Sequence, residues 1–456
     1  MVRPMPEPVS LRRMLGPSVI LAGLAVGSGE FIIWPHLTVK HGFDLFWACS
    51  LGVTIQFMIN MEIERYTLAT GESAVTGFFH LSRVFGPLFL LCATVPWIWP
   101  GWATGAAELV TWETGWGDGA IVPIAIVGLV LCGVALSLGP VVYRTVEVVQ
   151  MILVPTIFFV VLVLAFYVVE PQMILDLLAG AARIGYVPDG IEMPVLLGAL
   201  AFAGAGGAVN LAQSNYIRDK GYGMGRWVGR ITSPITGKTE EDSVVGAVFE
   251  GTDEDLKRWR VWWRRANGEH ALSFFVLCLV SLVLFCLVAH ALLGVQPDAP
   301  AKLDFVREQG DVLLDRFGGW ARHVYLLCGI LVLFSTEFAL LDAVSRVAAD
   351  TLKASFLAGS SRWTLTRTYF AMLWTLIGFG IIVLLFGFDQ PLSLLILAAS
   401  LNGGVMFLYS ATLLWLNATT FKGPMRVHPL RLFALAGSCA FFGWFTCLTL
   451  LDKLGV

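Results

Sequence analysis

The sequence predicts an all-α polytopic membrane protein, a class supported by its composition and by the pattern of its apolar segments. Hydrophobic residues make up 57% of the 456 residues, and charged residues make up only 14%. A soluble domain usually carries about 25% charged residues. Apolar segments recur along the chain, and each is long enough for a helix to cross a bilayer, which takes about 20 residues. Such segments must be helical, because lipid offers the backbone no hydrogen-bond partners.

About eleven segments meet this length criterion, and we number them as predicted spans in chain order. They cover residues 15–39, 44–65, 84–111, 120–139, 147–169, 193–217, 270–294, 322–346, 366–388, 391–417 and 430–451. We expect one transmembrane domain over residues 1–456, with a first repeat (1–169), a second repeat (193–417) and an extra C-terminal helix (430–451).

The distribution of positive charge predicts the orientation of the chain. Arg3, Arg12 and Arg13 precede span 1, and the loops after even-numbered spans carry more net positive charge than the other loops. Because positive loops stay in the cytoplasm, we expect the N-terminus inside and, after eleven spans, the C-terminus outside. We expect an integral protein of a bacterial inner membrane, without a cleavable signal peptide.

Span 1 is interrupted by Gly27-Ser28-Gly29-Glu30. Two glycines and a carboxylate are costly at membrane depth unless they line a polar cavity. Broken helices of this kind indicate the binding site of a transporter, and intramembrane carboxylates usually have a function. The alternative is a kinked helix whose Glu30 reaches the interface.

Span 6 contains a second interruption, the glycine-rich stretch 202–210, which ends in Asn210. If spans 1–5 and 6–10 form inverted repeats, spans 1 and 6 correspond, and we expect their breaks to face each other near the midplane. The alternative for Gly204 and Gly207 is close packing of helices through small residues.

The loop 218–269 is the only sizeable polar stretch, and its end, 256–265, interleaves Trp with Arg. Aromatic and basic residues next to a span are typical of an interfacial helix on anionic lipid, which we expect here. Nucleic acid is the weaker interpretation, and the net charge of -3 does not favour it.

Several motifs in the first three spans match those of a known family. They are Leu15-Gly16-Pro17, the break at Gly27 to Glu30, Gln56, Arg65, Ala69-Thr70-Gly71 and Ala107-Glu108-Leu109-Val110. They resemble the LGPG, DPGN, Q…R-x-x-x-ATG and DLAEVIG motifs of the NRAMP proton-coupled divalent metal transporters. The resemblance implies a LeuT-like fold with a 5+5 inverted repeat and a secondary transport function.

The chain departs from this family at the positions that bind metal. In the family's register, Gly27 stands for the metal-binding aspartate of DPGN and Glu30 for its asparagine. In span 6, Ala205 begins the A-x-x-MPH pattern, Ala208 stands for the metal-binding methionine and Asn210 for the histidine.

The resemblance therefore implies a site at the two breaks. Asn402, which interrupts span 10 next to Gly403-Gly404, is a further expected member. Glu30 and Asn210 are the expected metal ligands. Glu108, which keeps the second acid of the span 3 motif, and Glu337 of span 8 are the expected proton pathway.

Loss of the thioether at Ala208 removes a soft ligand, and the remaining oxygen ligands suit hard ions such as Mg²⁺ or Mn²⁺. We therefore expect symport of a divalent cation with protons, the cation being a substrate and not a cofactor. The alternatives are transport of a small organic solute, such as an amine or amino acid, and a membrane sensor that does not transport. The isolated cysteines and the lack of catalytic motifs indicate neither a zinc site nor an enzyme.

Overall fold

The computed structural model describes residues 2–27, 29–233, 235–237, 246–299 and 302–454. Ser28 of the span 1 break and the centre of the 218–269 loop lie outside the described residues. The described part is almost entirely helical, as the sequence predicts.

The helices follow the predicted spans, and we keep the span numbers. Their bounds are Pro17–Ala25 and Trp34–His41 (span 1), Phe46–Thr70 (2), Phe85–Thr94 and Gly101–Thr114 (3), Ile121–Leu138 (4), Val142–Val168 (5), Met193–Ala201 and Ala212–Lys220 (6), Asp253–His270 and Leu277–Leu293 (7), Gly319–Ser355 (8), Leu365–Leu385 (9), Pro391–Thr420 (10) and Pro429–Leu454 (11). Shorter helices at Ala74–Leu81, Pro171–Ala181 and Asp304–Phe317 connect them.

Within the described residues, nine helices are long and apolar enough to cross a membrane. Spans 3 and 6 are each divided into two shorter helices. In span 3 the division follows from Pro96 and Pro100, since proline lacks the N–H that continues a helix. This division was not predicted, whereas the division of span 6 at its glycines was.

The breaks of spans 1 and 6 lie against each other. The first helix of span 1 ends at Ala25, and a wide π-helical turn, Gly29–Ile33, leads into the second. A methyl group at Gly29 would overlap the carbonyl oxygen of Phe202, at the end of the first helix of span 6. Only glycine permits this approach, and the prediction that the breaks face each other is confirmed.

Span 7 begins much earlier than predicted. Asp253–His270 continues through a second π-helical turn, Ala271–Val276, into Leu277–Leu293. The predicted interfacial helix is thus the extension of span 7, and Trp262 in it is only 1% exposed. Its indole N–H donates to the carbonyl of Pro6 at 2.9 Å, and Arg265 donates to the carbonyl of Pro8 at 3.0 Å. Trp262 and Arg265 therefore bind the N-terminal segment of the chain, whereas Arg260 and Arg264 are exposed, and contact of these with lipid stays a prediction.

The loops after even-numbered spans gather at one end of the molecule, which we call the N-terminal face. There the amide of Ala247 donates to Thr70 at 2.9 Å, and the amide of Val142 donates to Ile231 at 3.4 Å. The loops after spans 3, 7 and 9 meet at the opposite face, where they line one cavity. This grouping agrees with the predicted topology, while the side of the membrane that each face occupies stays a prediction.

We expect Gly29→Ala to lower the thermal unfolding midpoint in detergent, because the added methyl group must displace the backbone at Phe202. Overpacking of this kind costs about 1–3 kcal/mol. Gly378→Ala in span 9 is the matched control, since no atom lies within 4 Å of the added methyl group there. Equal midpoints for both variants would show that the breaks do not touch.

Candidate functional site

Glu30 is the only acidic side chain at the span 1 break, and it is fully buried. Its Oε2 accepts a hydrogen bond from the hydroxyl of Ser281 in span 7. Its Oε1 has no hydrogen-bond partner. The turn at Gly29–Ile33 thus directs the carboxylate towards span 7 and leaves one oxygen unused.

Asn210 belongs to a network of neutral polar groups at the span 6 break. Its amide Nδ2 donates to the hydroxyl of Tyr409 at 2.9 Å and to Oε1 of Gln56 at 3.3 Å. Gln56 Oε1 also accepts from the amide of Gly206 at 3.0 Å, and its Nε2 donates to the carbonyl of Ala201 at 2.8 Å. Asn210 Oδ1, like Glu30 Oε1, is buried without a partner.

Asn402 supports the same broken backbone from span 10. Its Oδ1 accepts from the amide of Ala208 at 3.3 Å, and its Nδ2 donates to Ala398 at 2.9 Å. A methyl group at Gly207 would overlap the Asn402 side chain, so only glycine fits at this position.

The structure therefore brings together Asn210, Ala208 and Asn402, with Ala205 buried in the same break. Gly27 and Glu30 lie in the adjoining break of span 1, where a methyl group at Gly27 would overlap Thr336. No described contact joins Glu30 to Asn210.

Two side chains of this network were not predicted as site residues. Gln56 belongs to a motif of span 2, but its contacts with the span 6 break can be recognised only once the position of span 6 is known. Tyr409 carries no signal in the sequence, because a tyrosine within an apolar span usually packs in the core.

Among the described residues, no group of three or more His, Cys, Asp and Glu side chains is placed to hold a metal ion. If Glu30 and Asn210 bind one ion together, either one break must move or backbone carbonyls or retained water must act as further ligands. Hard ions such as Mg²⁺ commonly keep water ligands.

Glu108 lies far from the breaks in sequence and lines a cavity of about 270 Å³ at the opposite face. The other ionisable side chains of this cavity are Asp118, Lys302, Asp304, Arg307 and Asp389. Acidic groups outnumber basic ones, so the net charge of the cavity lining is negative and favours cations over anions. The structure thus places Glu108 in a vestibule, whereas the resemblance implies a position beside the site.

Glu337 of span 8 is buried, and its carboxylate lies near the backbone amide of Ala103 in span 3. Its Oε2 has no partner. Glu337 and Glu108 therefore lie on neighbouring spans, without a described contact between them.

Asp342, also in span 8, is part of a buried ion-pair network near the N-terminal face. Arg346 binds both of its oxygens, at 2.9 and 2.8 Å, and Tyr369 donates to it at 2.7 Å. Arg346 also pairs with Asp219. Asp342 is thus one member of a buried ion pair with Arg346.

The network continues into span 6, where Arg218 donates to Asp350 at 2.7 Å and lies 3.3 Å from Asp219. The five charged side chains of the network are completely shielded from solvent, and they tie spans 6 and 8 together. Arg218, Asp219 and Asp350 were not predicted, because the partners that join span 6 to span 8 are more than a hundred residues apart in sequence.

Comparison with solved structures identifies proteins with the same fold. A crystal structure of a manganese transporter variant from Eremococcus coleocola matches with a TM-score of 0.71 and 12% identity, over 98% of this chain and 89% of that one. The chain thus has the LeuT-like fold of that protein. The same transporter in complex with an aromatic bis-isothiourea substituted compound matches with a TM-score of 0.68, 12% identity and the same coverage.

A transporter of the nucleobase–cation-symport-1 family, solved in a closed conformation with bromovinylhydantoin bound, also shares the LeuT-like fold. It matches with a TM-score of 0.56 and 12% identity, over 98% of this chain and 94% of that one. No family sequence model and no curated protein sequence matches the chain. The resemblance to NRAMP transporters is thus confirmed for the fold, and these neighbours are transporters rather than enzymes.

We expect Arg346→Met to destabilise the protein strongly, because it leaves Asp342 and Asp219 buried without their shared cation. Removing one partner of a buried pair costs about 3–5 kcal/mol. Thermal unfolding in detergent measures the effect, with Arg367→Met at an exposed position as the control.

Adding Asp342→Asn to Arg346→Met should restore part of the lost stability, since one uncompensated charge is then removed. Fully additive losses in the double variant would contradict the assignment of these two side chains to one network.

Proposed function

We propose that the protein is a secondary active transporter that moves a small cation by alternating access around the breaks of spans 1 and 6. Broken helices at the interface of two repeats are where transporters of this architecture bind substrate. The contact of Gly29 with Phe202, within a LeuT-like fold, supports this location.

Two buried acceptor oxygens without partners carry the proposal. They are Glu30 Oε1 and Asn210 Oδ1, one on each break, and both residues are fully buried. An unsatisfied buried acceptor costs about 1–3 kcal/mol, and more when it is charged. A cation can bind to both oxygens and does not itself need a hydrogen-bond acceptor. The two unpaired oxygens therefore favour a positively charged substrate.

A hard divalent cation such as Mg²⁺ or Mn²⁺ is our first candidate. Glu30 supplies charge, Asn210 supplies an amide oxygen, and the interrupted backbone supplies carbonyls. These are ligands that hard ions prefer, whereas Ala208 offers no soft sulfur. Similarity of fold to a manganese transporter supports this candidate. In this proposal Glu108 and Glu337 carry coupled protons.

A small organic cation, such as an amine or an amino acid, is the second candidate. The groups around Asn210 are neutral hydrogen-bonding side chains, namely Gln56, Tyr409 and Asn402. One carboxylate, Glu30, balances one ammonium group, and neutral amides suit the remainder of an organic solute. The fold also occurs in a transporter crystallised with an organic ligand.

We expect Glu30→Gln to abolish divalent cation binding measured by isothermal titration calorimetry with Mg²⁺ and Mn²⁺, because a neutral amide replaces the only charge at the breaks. Asp189→Asn, at an exposed position, is the control. The wild type should bind Cd²⁺ no more tightly than Mg²⁺, since the soft ligand is missing.

Tight Cd²⁺ binding that survives Glu30→Gln would place the metal site elsewhere. If no metal binds to the wild type while an amine or amino acid raises its unfolding midpoint, the organic solute becomes the substrate.

We expect Glu108→Gln to remove the pH dependence of uptake into proteoliposomes while leaving substrate binding within about twofold, because Glu108 lies in the vestibule and not at the breaks. Asp118→Asn, in the same cavity, is the matched control for loss of negative charge. Loss of binding in Glu108→Gln alone would show that Glu108 is a ligand.

A further inference from the structure

A second cluster of buried polar side chains lies between the breaks and the N-terminal face, and the proposed transport site does not use it. Four spans contribute to this cluster. Its members are Ser18 (span 1), Glu64 (span 2), Gln213 (span 6) and Glu269 and His270 (span 7). The most exposed of them, Glu269, is only 4% exposed.

Ser18 is the centre of the hydrogen-bond geometry. Its Oγ donates to Glu269 Oε2 at 2.5 Å and lies 2.9 Å from Nδ1 of His270. Gln213 Nε2 approaches the same oxygen at 3.4 Å. A serine hydroxyl has one hydrogen, so when it donates to Glu269 the contact with His270 must be donated by the imidazole Nδ1–H. Glu269, Ser18 and His270 thus form one continuous hydrogen-bonded chain.

The cluster has acceptors in excess. Glu269 Oε1, Gln213 Oε1 and Glu64 Oε2 are all buried without a hydrogen-bond partner. Gln213 is aimed into the cluster, because the other atom of its amide group contacts Ser18. Nε2 of His270 is also buried without a partner, and in the Nδ1–H tautomer it is a further acceptor. In that tautomer the cluster has more acceptors than hydrogen atoms to satisfy them.

The charges of the cluster are also unbalanced. Within the described residues, neither Glu64 nor Glu269 forms an ion pair, and the two carboxyl groups are close enough to repel each other. The other ionisable groups that face them are Lys220, Glu147, Tyr143 and Tyr222. Lys220 pairs with Glu147 and donates to the carbonyl of Leu15, so it does not neutralise the cluster.

An isolated ionised carboxylate costs several kcal/mol when it is buried, and a proton is the smallest cation that removes this cost. A metal ion is not favoured, because the described acidic and imidazole groups are not arranged as metal ligands.

We propose that Glu64, Glu269 and His270 form a proton-binding site near the N-terminal face, in which Ser18 passes a proton between His270 and Glu269. In the transfer, the Nδ1–H proton moves to Ser18 Oγ while the Oγ–H proton moves to Glu269 Oε2. An imidazolium and a carboxylate thereby become a neutral imidazole and a carboxylic acid, and the serine hydroxyl is restored.

The position of Ser18 makes the proposed proton transfer depend on the conformation of span 1. Ser18 lies in the first helix of span 1, Pro17–Ala25, whereas Glu269 and His270 lie in span 7. Movement of the first helix of span 1 during alternating access separates the serine from both partners and interrupts the transfer. Gln213 lies one helical turn from Asn210, so the proton site adjoins the break of span 6. Its role in coupling rests on the proposed transport function, but its proton binding does not.

Infrared difference spectroscopy of the purified protein in lipid, with steps of pH and no substrate, tests the proposal. The wild type should show carboxylic acid C=O bands that disappear as the pH rises. Glu269→Gln and Glu64→Gln should each lose one of these bands, and Glu108→Gln, in the distant vestibule, should keep both. Unchanged bands in Glu269→Gln and Glu64→Gln would overturn the proposal.

If a glutamine variant does not fold, Glu269→Asp serves in its place and should shift the frequency of the same band, and an unchanged frequency would overturn the assignment. In a transport assay, Ser18→Ala should keep the bands but lose the stimulation of uptake by a proton gradient. If a proton gradient still stimulates uptake in Ser18→Ala, the proposed role of Ser18 in proton transfer is overturned. Because the spectra contain no substrate, they separate failure of the proton site from failure of the proposed cation transport.

Discussion

The close approach of two interrupted helices is the constraint on which the rest of the molecule depends. At membrane depth, each backbone group released by an interruption needs a partner from the protein. Spans 2 and 10 supply these partners as side-chain amides, with Gln56 bound to Ala201 and Gly206 and with Asn402 bound to Ala208. The polar groups that stabilise the breaks are therefore the same groups that a substrate would meet.

Two kinds of buried carboxylate can be distinguished among the described residues. Asp219, Asp342 and Asp350 are bound by arginines, and an ion pair of this kind stays charged while its partners stay together. Glu30 and Glu269 each have one oxygen bound by a serine hydroxyl and one oxygen left over. The electrostatic energy of a carboxylate of the second kind changes when a proton or a cation binds to it. A conformational cycle driven by ligands requires such a change on binding.

The sequence predicts the scaffold well and the site only in part. Glycines and a carboxylate inside an apolar run are conspicuous, so the breaks at Gly27 to Glu30 and near Asn210 are found from the sequence alone. The direction of the Glu30 side chain cannot be found from the sequence, because the helical phase changes across the turn at Gly29–Ile33. This change places the carboxylate beside Ser281. Partners such as Arg218 and Asp350 are distant in sequence, and no local period relates them. The Trp and Arg pattern of 256–265 suits both lipid and protein, and the binding of Trp262 and Arg265 to the N-terminal segment is seen only in the folded chain.

The contacts between that N-terminal segment and span 7 have a mechanical consequence. Carbonyls of Pro6 and Pro8 are bound by Trp262 and Arg265, and the chain enters the first helix of span 1 only nine residues after Pro8, at Pro17. The connecting residues let the first helix of span 1 shift relative to the extension of span 7, but only until the chain between them is taut. Larger tilting of that helix about the glycines at the break then pulls on the extension and transmits movement of the break to the surface of the N-terminal face.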